Sequence, residues 1–582
     1  MTLFMKRIIS ICATLALAVS CGLQNGNYTI QLLTTNDVHG AWFDSTYVGG
    51  KVKNSLYAVK YYVDSVRNAA GEDNVVLVDA GDCLQGDNAP YYYNYVDTTS
   101  EHLFVKLAKY MKYDAITVGN HDIETGHRVY DRVNSELEDE GIPFLAANAI
   151  RTDNSKSYFQ EYSCVEKDGL KVCIIGFTNP NMKEWLDESL FSGIEFKSLI
   201  PFVQNEVDKI VKKEKPQVVI VSVHSGTGDG DGSILESQGL DLFKSLKKVD
   251  FIVCSHDHRP FVKDGDGISL INSGSHSRFL GHGTISLKVK HHRVVSKELE
   301  SDLIKVNPNN VDTVMRSKFH KYYEAVKSFT MTKVGILSSD LDTKDAYAGM
   351  NDYMNLIHTI SLSCKPAQIS FAAPLTYNGH VDAGTLIYND LFTIYPFENQ
   401  LYVVKMTGKE IKNYLEYSYD QWIQTATSKN DHVLKIEKGS DSRFSQDNWH
   451  FVNRSYNFDS AAGINYTVDV TKPFGERISI SSLADGTAFN LGSTYNVAMT
   501  SYRASGGGDL LEKGAGVNTD KIQDRVVARY PEIRNLLFNY LKEKHDIDPV
   551  VIGDTKIIGN WEFIPVDIAQ PAIKADMSLL FN

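Results

Sequence analysis

The stretch "LLTTNDVHG", residues 32–40, reads as an apolar β-strand that ends in an acid and an imidazole, Asp37 and His39. Such side chains directly after a buried strand are typical of a site held rigidly by a sheet. One strand end of this kind carries little information, because a histidine at a single position is more often structural than functional. The interpretation depends on whether other apolar runs end in the same way.

Four further apolar runs end in polar side chains. They are "VVLVDAGD" (75–82) with Asp82, "YDAITVGNHD" (113–122) with Asn120, His121 and Asp122, "VVIVSVH" (218–224) with His224, and "DFIVCSHDH" (250–258) with His256 and His258. In open α/β sheets, ligands bind at the carboxyl edge of the strands. We therefore expect the five strand ends to meet at one site.

The collected side chains have the chemistry of metal ligands. The set holds two aspartates, one asparagine and four histidines, without a cysteine: Asp37, His39, Asp82, Asn120, His224, His256 and His258. Imidazole and carboxylate together suit zinc, manganese, iron and similar ions. Seven ligands exceed the needs of one ion, so a pair of metals bridged by a carboxylate is the simplest interpretation.

Length and composition indicate a globular protein of several domains. The chain has 582 residues, more than one hydrophobic core supports, which suggests two domains or three. Short β-branched runs alternate with helical stretches over residues 28–300, and 308–330 reads as a charged connecting helix. The net charge of −13 and pI of 5.7 argue against binding to a nucleic-acid polymer.

The N-terminus resembles a secretory leader. Lys6 and Arg7 precede a short apolar run, Ile8–Val19, and small residues then lead to Cys21. This arrangement is similar to a bacterial lipobox, with cleavage by an ordinary signal peptidase as the alternative. We therefore expect a signal peptide of lipoprotein type over residues 1–21 and a lipid anchor at Cys21. No later stretch is apolar for long enough to span a membrane.

Two of the seven cysteines, Cys12 and Cys21, lie in the leader. The other five are an odd and sparse set, which does not indicate a disulfide framework. Cys164 and Cys173 flank a turn in "EYSCVEKDGLKVCIIGF" and could face each other across a hairpin. We favour the interpretation that both are small buried hydrophobic residues.

The motifs as a set match a known family. "NDVHG", "GDCLQG", "GNHD", "VSVHSG" and "SHDH" resemble, in order, the sequence blocks of calcineurin-like metallophosphoesterases. The block order and the second half of the chain are similar to the 5′-nucleotidase and 2′,3′-cyclic-nucleotide phosphodiesterase family. One departure is Ser255, where the last block usually has glycine.

The resemblance implies an α/β protein with two domains. A four-layer αββα metallophosphoesterase domain is expected over residues 28–300, followed by a helical linker over 301–330. A mixed α+β substrate-binding domain of the 5′-nucleotidase type is expected over 331–582.

The resemblance also implies roles for the ligands. Two divalent ions (Zn, Mn, Co, Fe or Mg) would clamp a phosphate and activate water. The first ion would be held by Asp37, His39 and His258, the second by Asn120, His224 and His256, with Asp82 between them. His121 would stabilise or protonate the leaving oxygen. Its carboxylate partner is Glu124, which we favour, or Asp122.

The second domain would select the substrate. In the family two aromatic side chains sandwich a nucleobase; here Tyr502, in "SYRASGGGD", takes one place and Phe397, or neighbouring Tyr395, the other. Arg503, Gly506 and Gly507 belong to the same loop and are candidate substrate contacts.

The function that the resemblance implies is hydrolysis of nucleotide phosphate esters outside the cytoplasm. We expect the protein in the bacterial cell envelope, either in the periplasm or as an outer-membrane lipoprotein. "YRASGGG", "AAPL" (372–375) and "GNWEF" (559–563) are similar to the branch of this family that acts on 2′,3′-cyclic nucleotides and 3′-nucleotides, which we favour. "YPFEN" resembles the 5′-nucleotidase block "PFGN", so a 5′-nucleotidase, with or without UDP-sugar hydrolysis, is the alternative. A surface nucleotide binder without catalysis is the rival from another class.

Overall fold

The computed structural model describes residues 23–441, 444–544 and 558–581. The expected leader 1–21, with Cys21, lies outside these residues. Within the described part of the chain, none of the helices combines the length and the apolar character that crossing a membrane requires.

The first half of the chain alternates strands and helices. Its strands are β1 (Gly26–Thr35), β2 (Val75–Asp79), β3 (Ala115–Thr117), β4 (Phe144–Leu145), β5 (Ala149–Arg151), β6 (Tyr162–Lys167), β7 (Leu170–Phe177), β8 (Ile194–Phe196), β9 (Val218–Val223), β10 (Phe251–Val253), β11 (Pro260–Asp264), β12 (Ser269–Ser273), β13 (Phe279–Lys290) and β14 (Arg293–Lys305). Its helices are α1 (Leu56–Ala70), α2 (Asn88–Tyr91), α3 (Leu103–Met111), α4 (Asn120–Glu124), α5 (His127–Asp139), α6 (Met182–Trp185), α7 (Leu199–Glu214), α8 (Gly239–Ser245) and α9 (Thr313–Thr330).

Two six-stranded sheets form the centre of this half. Their strand orders are β14-β13-β1-β2-β3-β4 and β11-β12-β10-β9-β7-β6. A core of strand side chains, such as Val78 and Ile220, lies between the sheets. Side chains of α1, α3 and α5 belong to a second core outside the first sheet, and those of α7 and α8 to a third outside the second. The predicted four-layer αββα arrangement is confirmed.

The parallel strands explain why the polar strand ends meet. β1, β2, β3 and β4 run parallel in one sheet, and β7, β9, β10 and β12 run parallel in the other. β2 and β9 are buried along their whole length, which suits continuous apolar runs covered on both faces. The loops after β1, β2, β3, β9 and β10 therefore carry side chains to a common edge.

The second half is a mixed α+β structure, as predicted. Its strands are β15 (Lys333–Leu337), β16 (Leu341–Asp342), β17 (Ile369–Ala372), β18 (His380–Val381), β19 (Gly384–Ile387), β20 (Gln400–Thr407), β21 (Ile436–Asp441), β22 (Phe444–Phe451), β23 (Ser460–Ala462), β24 (Ile464–Asp469), β25 (Ile478–Leu483), β26 (Thr494–Thr500), β27 (Val526–Glu532) and β28 (Trp561–Ile564). Its helices are α10 (Asp352–Ser363), α11 (Tyr388–Ile394), α12 (Gly408–Trp422), α13 (Ser501–Ala504), α14 (Ile533–Lys544) and α15 (Val566–Phe581). The largest sheet, β23-β17-β26-β20-β27, combines parallel and antiparallel pairs.

Single turns of tighter or wider helix complete the described elements. The 3₁₀ turns are Glu72–Asn74, Glu188–Leu190, Thr343–Tyr347, Ser455–Asn457, Gly507–Asp509 and Thr519–Asp524, and the π turns are Tyr92–Val96 and Leu510–Ala515.

The hairpin of β6 and β7 corrects one expectation. Cys164 and Cys173 lie directly opposite each other in the antiparallel register and form a disulfide, with their Cα atoms 4.1 Å apart. The interpretation of both as free buried hydrophobic residues was wrong, because the turn brings the two strands into a register that pairs them. Cys83, Cys254 and Cys364 are free and buried.

Candidate functional site

The predicted ligands lie on loops with strained backbone. Asp37, His39, Asp82, His256 and His258 all have positive φ, between 46° and 72°. This region is uncommon for residues other than glycine, and such residues cluster at functional sites, where the surrounding structure holds them in place. Five of the seven predicted ligands therefore adopt a backbone conformation that is uncommon in general and frequent at functional sites.

One cluster of ligand atoms comes from the loops after β1 and β10. Nε2 of His39 and Nε2 of His258 face each other at 2.9 Å. Oδ1 of Asp37 lies 3.6 Å from Nε2 of His258 and 3.9 Å from Nε2 of His39. The three side chains have the grouping needed to hold one metal ion.

The second cluster comes from the loops after β2, β3, β9 and β10. Oδ1 of Asn120 lies 2.9 Å from Nε2 of His224 and 2.9 Å from Nδ1 of His256. Asp82, His224 and His256 bring three ligand atoms close enough to share an ion. All seven predicted metal ligands thus lie at one edge of the sheets.

Asp82 lies between the two clusters. Its Oδ2 is 3.2 Å from Nε2 of His224 in the second cluster and 4.0 Å from Nε2 of His39 in the first. Gly119 allows this approach, because a β-carbon there would lie 2.1 Å from Oδ1 of Asp82. A single carboxylate is therefore within reach of both clusters.

Backbone carbonyls orient two of the imidazoles. Nδ1 of His39 donates to the carbonyl of Gln85 at 3.2 Å, and Nδ1 of His224 donates to the carbonyl of Ala80 at 2.8 Å. A carbonyl only accepts, so Nδ1 carries a proton in both rings. In His39, which is neutral, the lone pair therefore lies on Nε2, whereas Nε2 of His224 would offer its lone pair once a cation takes the place of its second proton. Both Nε2 atoms point into the clusters, as coordination of a cation requires.

Burial and charge at the site favour cations. Burial lowers the pKa of His39 and of His256 to about 3, so both rings are neutral near pH 7. At His224 burial disfavours the imidazolium, but the carboxylate of Asp82 outweighs it and raises the pKa to about 10. Without a metal, His224 is therefore a positively charged imidazolium beside the buried Asp82 carboxylate.

His121 lies beside the bridging position. Its backbone N–H donates to Oδ1 of Asp82 at 2.8 Å, and its Nδ1 lies 2.6 Å from Oε2 of Glu124. Gln85 donates to the same Glu124 oxygen at 2.8 Å. Burial lowers the pKa of His121, but Asp82 and Glu124 together raise it to about 9, so the ring is an imidazolium at neutral pH.

Asp122 makes a different set of contacts. Its carboxylate accepts the backbone N–H groups of Asp82, Cys83, Leu84 and Gly119 at 2.8–3.0 Å. These bonds fix the loop that carries Asp82. The carboxylate that contacts His121 is that of Glu124.

The aromatic candidates of the second half lie in different environments. Tyr395 and Tyr502 line one narrow pocket, together with Asn399 and Tyr456. Tyr395 is almost fully buried in the core, whereas Tyr502 and Phe397 are half-buried. Phe397 packs against the core that contains Tyr395.

The loop around Tyr502 depends on its glycines. A β-carbon at Gly507 would lie 2.4 Å from the ring of Tyr502, so only glycine leaves room for the ring there. Gly506 has φ +108° and faces Glu184 of the first half. Arg503 is buried and donates to Asp459, Asn457 and the carbonyl of Gly507. Its guanidinium therefore ties the loop to its own domain.

Two residues near the clusters escaped the sequence analysis. The indole of Trp185 stacks on the imidazole of His256, with ring centroids 5.0 Å apart. The ring of His276 lies 5.3 Å from that of His39, and its backbone N–H donates to the carbonyl of Asp37. Trp185 lies on α6 and not directly after a strand, so no strand-end signal marks it. His276 comes three residues after the buried parallel strand β12, so the strand-end pattern could have found it.

Comparison with known proteins agrees with this geometry. Residues 30–260 match the family of calcineurin-like phosphoesterases, and residues 329–513 match the 5′-nucleotidase C-terminal domain. The chain belongs to the phosphoesterases that combine these two domains. It is accordingly a metal-dependent phosphoric ester hydrolase.

Two relatives and one solved structure illustrate the similarity. The trifunctional nucleotide phosphoesterase protein of Bacillus subtilis is 24% identical over 92% of the chain, which spans only 39% of that relative's length. The 2′,3′-cyclic-nucleotide 2′-phosphodiesterase/3′-nucleotidase of Salmonella typhimurium is 23% identical over 96% of the chain and 95% of its own length. A Staphylococcus aureus protein assigned to the 5′-nucleotidases and solved with alpha-ketoglutarate has the same fold, with TM-score 0.74 and 20% identity, covering 92% of this chain and 99% of its own.

The family implies divalent metal ions, and the residues present fit them. Imidazole nitrogens, carboxylate oxygens and one amide oxygen form the donor set of the two clusters. This mixture suits zinc, manganese, cobalt or iron, with magnesium favoured less by the nitrogen ligands.

Proposed function

We propose that this protein hydrolyses nucleotide phosphate esters with a pair of metal ions and favours 2′,3′-cyclic nucleotides and 3′-nucleotides. The observation that carries the proposal is the pair of ligand clusters with Asp82 between them and His121 alongside. A nucleotide-binding protein without catalysis has no need for a histidine in this position.

The first ion would be held by Asp37, His39 and His258, and the second by Asn120, His224 and His256. Asp82 would contact both. When bound, such a pair polarises a phosphate ester and supplies a nucleophile from water at neutral pH. The strained ligand loops and the carbonyl-oriented imidazoles serve to hold the donor atoms ready for these ions.

His121 would act on the leaving oxygen. Its imidazolium, oriented by Glu124, can donate a proton to the sugar oxygen as the ester bond breaks. Glu124 then keeps the ring in place and stabilises its charge, and Asp122 acts indirectly by fixing the Asp82 loop.

Substrate choice would come from the second domain. Tyr502 would stack on the nucleobase, with Phe397 or Tyr395 on its other face, and Gly506 and Gly507 would let the loop approach. Arg503 would support this loop rather than reach the ligand with its charge, because its donors are engaged within the domain.

The preference for cyclic nucleotides rests on the motifs of the second domain and on the Salmonella relative, which aligns over nearly its full length. The 5′-nucleotidase remains the second candidate, with or without action on UDP-sugars. It is supported by "YPFEN" and by the C-terminal domain family.

We also propose that the protein works in the cell envelope, in the periplasm or attached to the outer membrane through a lipid at Cys21. The leader motif supports this placement. The disulfide of Cys164 and Cys173 supports an oxidising compartment as well.

A substrate panel tests the proposal. The purified protein is supplied with manganese, zinc, cobalt or magnesium, and product formation from 5′-AMP, 3′-AMP and 2′,3′-cyclic AMP is followed by chromatography. A higher kcat/KM for 2′,3′-cyclic AMP and 3′-AMP than for 5′-AMP is expected. The reverse order would favour the 5′-nucleotidase, and no turnover with any metal would favour the binding protein.

A further inference from the structure

Trp185 contacts the metal-ligand cluster without belonging to it. Its indole lies nearly parallel to the imidazole of His256, with an interplanar angle of 24° and ring centroids 5.0 Å apart. The imidazole of His256 also has Nδ1 2.9 Å from Oδ1 of Asn120 and meets the ring of His224 edge to face, with centroids 5.4 Å apart. Trp185 covers a face of this ring, so stacking restrains its plane together with these two contacts.

The segment that carries Trp185 also reaches the second domain. Helix α6 packs against α13, which begins the Tyr502 loop. A β-carbon at Gly506 would lie 3.3 Å from Oε2 of Glu184. Asp187, two residues after Trp185, accepts a hydrogen bond from the hydroxyl of Tyr402 in β20.

Through these contacts one short segment, residues 184–187, touches both the ligand cluster and the second domain that carries the Tyr502 loop. Glu184 faces the loop, Trp185 faces His256, and Asp187 is bonded to the sheet of the second domain. Trp185 is half-buried, and its indole packs against the core outside the first sheet as well as on His256.

We propose that Trp185 is a positioning residue that fixes the imidazole of His256 for metal binding and links the metal site to the Tyr502 loop. The inference rests on the metal role given to His256 in the proposed function. Groups that orient metal ligands typically contribute about 10–100-fold to metal affinity or activity. A flat aromatic ring is needed, because the contact is made face to face.

Two substitutions separate stacking from space filling. Trp185→Leu keeps an apolar side chain without a ring, and Trp185→Phe keeps a ring. Calorimetric titration of the metal-free protein with Mn²⁺ or Zn²⁺ should show affinity lowered by about 10–100-fold in the leucine variant. The phenylalanine variant should stay within a few-fold of the parent.

Trp449→Leu is the matched control. Trp449 also lies beside a histidine, with its ring 5.2 Å from that of His432, but neither belongs to the ligand clusters. The metal affinity of the Trp449→Leu variant should equal that of the parent. Equal affinity in the leucine and phenylalanine variants of Trp185, or an equal loss in the control, would overturn the proposal.

Fluorescence gives a readout independent of turnover. Metal binding at His256 should change the emission of the adjacent indole, and this change should vanish in Trp185→Phe although that variant still binds metal. A metal-dependent signal that persists unchanged in Trp185→Phe would overturn the proposed contact.

Kinetics distinguish positioning from base stacking. Trp185→Leu should lower kcat on both a nucleotide and bis-(nitrophenyl) phosphate, which has no base. A rise in KM for the nucleotide alone would overturn the positioning role. If no nucleotide is hydrolysed by the parent, the proposed function fails, and the metal titrations still decide the role of Trp185.

Discussion

Oε2 of Glu124 lies 2.6 Å from Nδ1 of His121, so a carboxylate holds this imidazole from the side away from its Nε2. The bond orients the ring and stabilises its charged form. Glu124 stands three residues after His121 on the short helix that also presents Asn120. The helical spacing, rather than a neighbour in sequence, therefore decides which acid contacts the histidine.

Replacing Glu124 with glutamine should slow turnover and leave metal binding intact. A hydrogen bond to a charged group contributes about 1.5–3 kcal/mol, which corresponds to a loss of roughly 10–100-fold in kcat. Steady-state kinetics on a nucleotide with measured metal content test this. A variant with the parent's kcat would remove Glu124 from the mechanism.

Replacing His121 with alanine should cost more than replacing Glu124. General acid catalysis contributes typically about 10²–10⁴-fold, and the loss should appear in kcat on nucleotides. Bis-(nitrophenyl) phosphate should be affected much less, because its leaving group needs no proton. Similar losses on both substrates would indicate that His121 supports the metal site instead.

Replacing Tyr502 with alanine should raise KM for nucleotides. One stacking contact with a base contributes roughly 1–3 kcal/mol, and kcat on bis-(nitrophenyl) phosphate should change little. Tyr61→Ala is the control, since Tyr61 is 47% exposed on α1. An equal loss on both substrates would identify Tyr502 as a packing residue.

Gly507→Ala should reproduce the Tyr502 defect without removing the ring. The new β-carbon would lie 2.4 Å from the Tyr502 ring and must displace it. Gly492→Ala, where the nearest atom is 3.4 Å away, serves as the control. Unchanged nucleotide KM in Gly507→Ala would mean that the position of the Tyr502 ring does not matter for binding.

The strand-end motifs made the clustering of the candidate metal ligands predictable. Asp37, Asp82 and His224 each follow a buried strand, and parallel strands must bring their carboxyl ends to one edge. The layers of the first domain follow from the same alternation of strands and helices.

Other features could not be read from the sequence. The contact of Trp185 with His256 depends on how the segment after β7 folds over the edge of the sheet, and no hydrophobic periodicity in the sequence predicts that path. The disulfide of Cys164 and Cys173 depends on strand register, which the turn sets. The environment of Tyr395 depends on the packing of the second domain, where aromatic residues serve the core and the pocket alike.

The central claim is that this chain hydrolyses phosphate esters through two ions that share Asp82. The most direct measurement is metal content and hydrolysis on the same samples of parent and Asp82→Ala, after chelation and after titration with Mn²⁺ or Zn²⁺. The parent should lose hydrolysis on chelation and regain it as two ions bind per chain, while Asp82→Ala should bind less metal and stay inactive. The account would be contradicted if the chelated, metal-free parent hydrolysed the substrate as fast as the metal-loaded parent. Two tightly bound ions in Asp82→Ala would also contradict it.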